Sequence, residues 1–283
     1  MLKWKIGDVI VTRVVELEAP TSVRFLFDGV SQDDLLGIEW LKPHFVTDKG
    51  YMLLSIHALL IESEGLRIVV DTCLGNDKER KVDGWGMRDG PFLADIDAAG
   101  FQREAVDAVM CTHLHVDHVG WNTMQVNGRW VPTFSNAEYL FAKQEWDYWN
   151  EHEQEEFGPV IEDSVRPIVD AGLARLVDMD HRLTSEVWFE PTPGHTPGHV
   201  SVRISSRGED AVITGDMTHH PAQLAHPEWA AKVDFDQAQS TATRQQFYAR
   251  YADQPVLVIG THFATPTAGR IVRDGAAYRL DTS

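Results

Sequence analysis

The densest chemistry in the chain is Thr112-His113-Leu114-His115-Val116-Asp117-His118-Val119-Gly120, where four metal-ligating side chains fall within six residues. The apolar run Val106, Ala108, Val109 and Met110 precedes it and reads as a strand. Side-chain direction on a strand repeats every second residue, so His113 and His115 project the same way. Asp117 and His118 come from the following turn, where they can be aimed at a second point. An imidazole pair beside a carboxylate–imidazole pair suits two neighbouring metal ions better than one. Imidazole and carboxylate together suit zinc, without sharply excluding iron or manganese.

Other candidate ligands stand at strand ends further along. Leu66–Val70 runs into Asp71, Ala211–Thr214 into Asp216, and Pro255–Ile259 into His262. His195 sits in Pro191-Thr192-Pro193-Gly194-His195-Thr196-Pro197-Gly198-His199, too rich in Pro and Gly for regular structure. Strand ends gathered on one sheet edge make a site of the rigidity metal chemistry requires.

The elements that must position these residues alternate in type. Strand patterns cover Gly7–Glu18, Leu53–Ile61, Leu66–Val70, Asn136–Phe141, Leu173–Val177, Val187–Phe189 and Val200–Ile204, and Ile271–Leu280 reads as a closing hairpin. Helices are predicted over Pro91–Gly100, Gln144–Glu156, Val160–Ala171 and Gln237–Ala252, and Asn127-Gly128 is a hairpin tip. No linker or repeat divides the chain, which predicts a single α/β domain over 1–283. Within it, 1–50 supplies an N-terminal strand and an aromatic segment, Ala19–Asp48, expected as a lid, a homodimer contact or a loop packed on the core.

Composition narrows the partners. Apolar residues make up 43% of the chain, which fits a globular core rather than disorder. The 43 acidic against 25 basic residues leave a formal charge of −18, which repels nucleic acid and anionic membranes. No apolar run reaches the length of a membrane span. Met1–Asp8 leads straight into a strand pattern, and Cys73 and Cys111 show no paired metal spacing, so a cytoplasmic location is expected.

Taken together, THLHVDHVG, GHTPGH, the aspartate after ITGD and the late GTH histidine resemble the metallo-β-lactamase superfamily of metal-dependent hydrolases. The resemblance runs from about Leu53 to Phe263. It implies an αββα sandwich of two mixed β-sheets flanked by helices, holding two metal ions, usually Zn2+. By position, His113, His115 and His195 would hold the first metal and Asp117, His118 and His262 the second, with Asp216 bridging. The attacking group would be a hydroxide shared by the metals, with Asp117 guiding it and receiving protons. Asp71 is expected either to orient a ligand histidine from behind or simply to cap its strand.

The substrate is a separate question. A bridging aspartate at Asp216 departs from the β-lactamases proper, which place cysteine or serine there. The acidic surface disfavours a nuclease, and no basic C-terminal region of the glyoxalase II type follows His262. The chain is most similar to the branch of N-acyl-homoserine lactonases and methyl parathion hydrolase-like enzymes. Where the lactonases commonly place a tyrosine, three residues after the bridging aspartate, this chain has His219, expected to donate to a developing oxyanion or leaving group or else only to line the pocket. Phe25, Phe27, Trp40, Phe45, Trp85 and His220 are candidate pocket residues for a small hydrophobic ester or lactone. A phosphotriesterase or thioesterase is the alternative within the enzymes. A metal-binding effector or sensor without turnover is the alternative outside them.

Overall fold

The computed structural model describes residues 1–283. The first sheet is built from β1 (Lys3–Ile6), β2 (Val9–Thr21), β3 (Met52–Ser63), β4 (Leu66–Val70) and β5 (Ala108–Met110). A separate hairpin, β6 (Thr123–Val126) and β7 (Arg129–Pro132), turns at Asn127-Gly128. The first sheet then resumes with β8 (Glu138–Ala142) and β9 (Ala174–Val177), giving the order β1-β2-β3-β4-β5-β8-β9. The second sheet lies in sequence order: β10 (Val187–Pro191), β11 (Val200–Ser206), β12 (Glu209–Ile213), β13 (Val256–Ile259), β14 (Ala268–Asp274) and β15 (Ala277–Asp281).

Both sheets are mixed, and the parallel pairs place the ligands. Strands β4, β5, β8 and β9 run parallel in the first sheet, as do β12 and β13 in the second. Parallel neighbours end at the same edge. The turns after β4, β5, β12 and β13, carrying Asp71, His113–His118, Asp216 and His262, therefore converge. Ligand sites of α/β proteins sit at carboxyl strand ends for the same reason.

Three apolar clusters explain the layering. Between the sheets, Val9, Val11, Leu59, Ile61, Ile68 and Met110 meet Phe189, Val200, Val202, Ile204 and Ile213. The outer face of the first sheet packs through Val109, Tyr139 and Phe141 against α3 (Phe92–Ala98), α4 (Lys143–Trp149) and α5 (Arg166–Asp170). The outer face of the second packs through Val212 and Val258 against the short α6 (Ala222–Ala225) and α7 (Gln237–Tyr251). The result is an αββα sandwich, as the motifs imply. Because both sheets are covered on both faces, β3 and β4 read as nearly continuous apolar runs.

One expectation is corrected. Helix α4 stops at Trp149, not Glu156. Glu151, Glu153, Glu155 and Glu156 would crowd like charges on further turns. The chain instead bends so that the Gln154 amide donates to the Leu114 carbonyl (2.6 Å). The Ala19–Asp48 segment contains short helices, α1 (Val23–Leu26) and α2 (Gln32–Leu36), and packs its apolar side chains on the core, one of the three arrangements expected for it. Val23, Leu26, Phe27, Leu35, Leu41, Phe45 and Val46 are buried in the cluster beneath the second sheet's outer face, which α7 alone leaves partly uncovered.

A β-bulge at Glu16, between the Val15 and Leu17 pairings of β2 with β3, turns one acid toward the site. The Glu16 carboxylate accepts from the N–H groups of Leu74 (2.8 Å) and Gly75 (3.2 Å) and from the Trp121 indole (2.7 Å). The turn that follows Asp71 is pinned by this one side chain.

Candidate metal centre and cavity

His113, His115, Asp117, His118, His195, Asp216 and His262 converge in space. Their ligand atoms fall into groups whose members lie within 4.8 Å of one another: His113 with His115 and His195, His113 with His118 and Asp216, and Asp117 with His118 and His262. His219 joins His195 and Asp216 in a further group.

Hydrogen bonds behind the rings fix which nitrogen faces inward. His118 Nδ1 donates to Asp71 Oδ2 (2.8 Å), His195 Nδ1 to Asp234 Oδ1 (2.8 Å), and His262 Nδ1 to the Ser55 carbonyl (2.9 Å). The Thr112 hydroxyl donates to Asp71 Oδ2 (2.8 Å), so it accepts from His113 Nδ1 (3.0 Å). In all four rings Nδ1 is paired behind the ring, which leaves Nε2 facing the centre. Carboxylates and carbonyls behind a ligating imidazole set tautomer and orientation in this way.

The inward ring nitrogens face one another. His118 Nε2 and His262 Nε2 stand 3.2 Å apart, and His115 Nδ1 and His195 Nε2 stand 2.9 Å apart. His113 Nε2 is buried with no protein partner, 3.8 Å from Asp216 Oδ2. Ring nitrogens this close share either a proton or a metal cation. Nitrogens bound at about 2.0–2.1 Å to a tetrahedral zinc stand roughly 3.3 Å apart, close to the spacing here. The residues present therefore fit a pair of divalent ions.

Electrostatics point the same way. Burial and the neighbouring imidazoles hold His113 and His115 well below the usual histidine range, leaving neutral donors. Burial alone would also lower His118, but Asp216, Asp71 and Asp117 outweigh it and raise this ring well above that range. Asp216 is held well below the usual carboxylate range: burial opposes its charge, and His118, His262 and His219 overcome that. The centre favours positive charge.

The loop histidine His199 points away from this set. Its Nδ1 donates to the Thr192 carbonyl (2.9 Å), and its Nε2 accepts from the Asp216 N–H (2.8 Å), so it shapes the turn that presents Asp216. Burial pushes it down to about 3, which keeps Nε2 an acceptor.

Above the centre opens a cavity of about 610 Å³. His115, Asp117, His195, Asp216, His219 and His262 form its floor, and Leu17, Leu54, Ile56, Trp85 and Phe157 are among its apolar walls. Phe25 and Trp85, expected in the pocket, both line it, with ring centroids 6.0 Å apart. Acids line it at Asp83, Asp117 and Asp216, but no lysine or arginine does.

The other expected pocket residues lie elsewhere. Phe27 packs on Trp229, and Phe45 on His220 and Phe263, all beneath the second sheet. Trp40 packs against the same cluster. His220 is fully buried, its Nε2 donating to the Phe45 carbonyl (2.8 Å) and its Nδ1 accepting from the Ala222 N–H (3.1 Å). The physical reason is that this outer sheet face needs apolar cover, so neighbours in sequence split between core and cavity.

His219 takes the opposite direction from His220. Its Nε2 lies 3.3 Å from Asp216 Oδ2, and neither ring nitrogen has a hydrogen-bond partner. Its backbone N–H donates to Gln223 Oε1 (2.8 Å), and Tyr248 and Arg244 of α7 hold the preceding Thr218 hydroxyl and Met217 carbonyl. The ring is thus rigidly presented.

Sequence reasoning missed Asp234, Phe157 and Glu145. Asp234 lies in an irregular stretch before α7 with no pattern to single it out. Phe157 ends an acidic run that reads as solvated helix. Leu54 and Ile56 were readable in principle, since alternation puts both on one face of β3.

The comparisons with known proteins agree with this geometry. The model of the metallo-β-lactamase superfamily matches residues 52–266. The chain is 24% identical over 175 residues to an N-acyl homoserine lactonase of a Bacillus species, covering 56% of this chain and 62% of that protein. It is 26% identical over 159 residues to the probable metallo-hydrolase YybB of Bacillus subtilis (strain 168), covering 52% and 66%. The chain thus spans less than two thirds of the length of each. Among solved structures, the dizinc quorum-quenching lactonase AidC superposes with a TM-score of 0.81 at 22% identity, over 100% of this chain and 97% of that one. The hydrolase AbOPH superposes with a TM-score of 0.80 at 24% identity, over 99% and 97%. At these identities the superpositions speak for the fold, and the family match covers most of the chain. The chain belongs to the metallo-β-lactamase superfamily.

Proposed function

We propose that this metallo-hydrolase is a dinuclear zinc enzyme that opens a lactone or cleaves a carboxylic ester. His113, His115 and His195 would hold one ion and Asp117, His118 and His262 the other, with Asp216 within reach of both groups. A divalent pair held there supplies an acidified water and a Lewis acid for the scissile oxygen.

The chain's own residues do the rest. Asp117 lines the cavity, with Oδ2 3.6 Å from His262 Nε2, and takes the proton released by the attacking water. His219 has no competing partner and donates from Nε2 to the oxyanion or the departing alkoxide. The apolar walls exclude bulk water and bind the acyl or leaving group.

The observation that carries this reading is the cavity lining: apolar walls over a polar floor, with no cationic side chain. A β-lactam carboxylate, a glutathione thioester or a nucleic acid would find no counter-charge beyond the floor. A neutral lactone or ester needs none. A neutral phosphotriester fits the same lining and is the second reading. An effector without turnover has no use for a cavity that opens directly onto the metals.

A hydrolysis panel of lactones, aryl esters, phosphotriesters, thioesters and β-lactams tests the assignment. Turnover should be greatest on neutral lactones or esters. Turnover confined to phosphotriesters would replace the first reading with the second, and activity on none with metals bound would favour the effector.

A further inference from the structure

Glu145 is a buried acid on α4 that does not line the cavity above the centre and yet reaches both histidine loops. Its Oε1 accepts from the Leu114 N–H (3.0 Å) and the Trp149 indole (2.7 Å), and its Oε2 accepts from the Gly198 N–H (2.9 Å). Leu114 lies between His113 and His115, and Gly198 lies in the loop of His195. One carboxylate therefore ties together the loops that carry all three histidines of one metal position. The approach is close enough to demand glycine: a Cβ on Gly198 would lie 2.2 Å from the Glu145 nitrogen. Trp149, held by the same carboxylate, sets its ring edge-on to His115 at 5.3 Å.

Asp234 acts on the same position from the opposite side. It accepts from His195 Nδ1 (2.8 Å) through one oxygen and from the Ala231 N–H (2.9 Å) through the other. Its loop is bonded to the His195 loop at two further points, Phe235 N–H to the His195 carbonyl (2.9 Å) and Asp236 N–H to the Gly194 carbonyl (3.0 Å). The rings of His118 and His262 have different supports, the Asp71 carboxylate and the Ser55 carbonyl.

We infer that Glu145 and Asp234 are positioning residues for the three-histidine metal position, so that this metal can be loosened without the other, whereas Asp71 backs His118 directly and His113 through the Thr112 hydroxyl. This rests on the two-metal reading above. The physical argument is that both oxygens of each carboxylate accept from N–H groups. A carboxamide of the same shape must turn an NH2 toward one of those donors and lose that bond.

Chelator competition on the zinc-loaded protein, with metal content read by elemental analysis, tests the inference. Wild-type protein should hold two equivalents. Glu145→Gln should release one of them at roughly 10- to 100-fold weaker chelation and leave the second unchanged. Asp234→Asn should loosen the same equivalent. If Glu145→Gln compromises folding, Asp234→Asn carries the test, because Asp234 lies in a loop outside the packed α4. Equal weakening of both equivalents, or no change in either variant, overturns the inference. Fewer than two equivalents in the wild type overturns the two-metal reading instead.

Discussion

The floor and the walls of the cavity are held in different ways. On and just beneath the floor, His113, His118, His195 and His262 each have an acceptor behind the ring, at 2.8 to 3.0 Å. On the wall, Phe25, Trp85 and Phe157 pack on one another, at centroid separations of 6.0 and 6.4 Å, and Phe157 on the His115 ring at 6.3 Å. A hydrogen-bonded ring has one orientation and one tautomer, whereas an aromatic held by dispersion can be replaced with repacking. The difference teaches that the reaction class is built into the floor, while selection among substrates is left to parts that change cheaply.

The largest effect should come from the floor. Asp216→Ala removes the carboxylate shared by the two ligand groups and should cost roughly 10³-fold or more in hydrolysis, with the circular dichroism of a folded protein retained. A fully active variant would end the bridging assignment. His219→Phe keeps the packing and removes the unpartnered nitrogens. It should lower kcat by about tens to hundreds of fold at unchanged metal content. An unchanged kcat would move His219 from the floor to the wall.

A pair of aromatic truncations then sharpens the boundary. Trp85→Ala, in the wall, should shift KM by several fold, differently for different substrates, with little loss of thermal stability. Phe45→Ala, in the core, should destabilise the fold by about 3–5 kcal/mol while leaving relative specificity unchanged. If Phe45→Ala instead altered specificity, the boundary between core and cavity would be drawn in the wrong place.

Much of the floor was legible because its signals are local. The His113–His118 cluster, the Gly/Pro loop around His195 and the strand-end positions of Asp71, Asp216 and His262 are all visible in short windows. Strand and helix patterns were legible for the same reason, apart from α4, where a long-range bond to Leu114 overrides local pattern. The walls were not legible. Phe25 and Phe27 look alike in sequence, as do His219 and His220, and only packing sends one of each pair to the cavity and the other to the core.

The sequence by itself determined the candidate ligand set and the strands that end in it. Ligand chemistry and residue periodicity are local properties, so a single chain suffices to read them. Tertiary structure decided which acceptor stands behind each ring, which aromatics face the cavity and that no cation lines it. Asp234 reaches His195 across 39 residues, and Glu16 reaches Leu74 across 58. Such partners carry no periodic signal: burial can be inferred from pattern, but the identity of the group met on burial depends on how the layers pack.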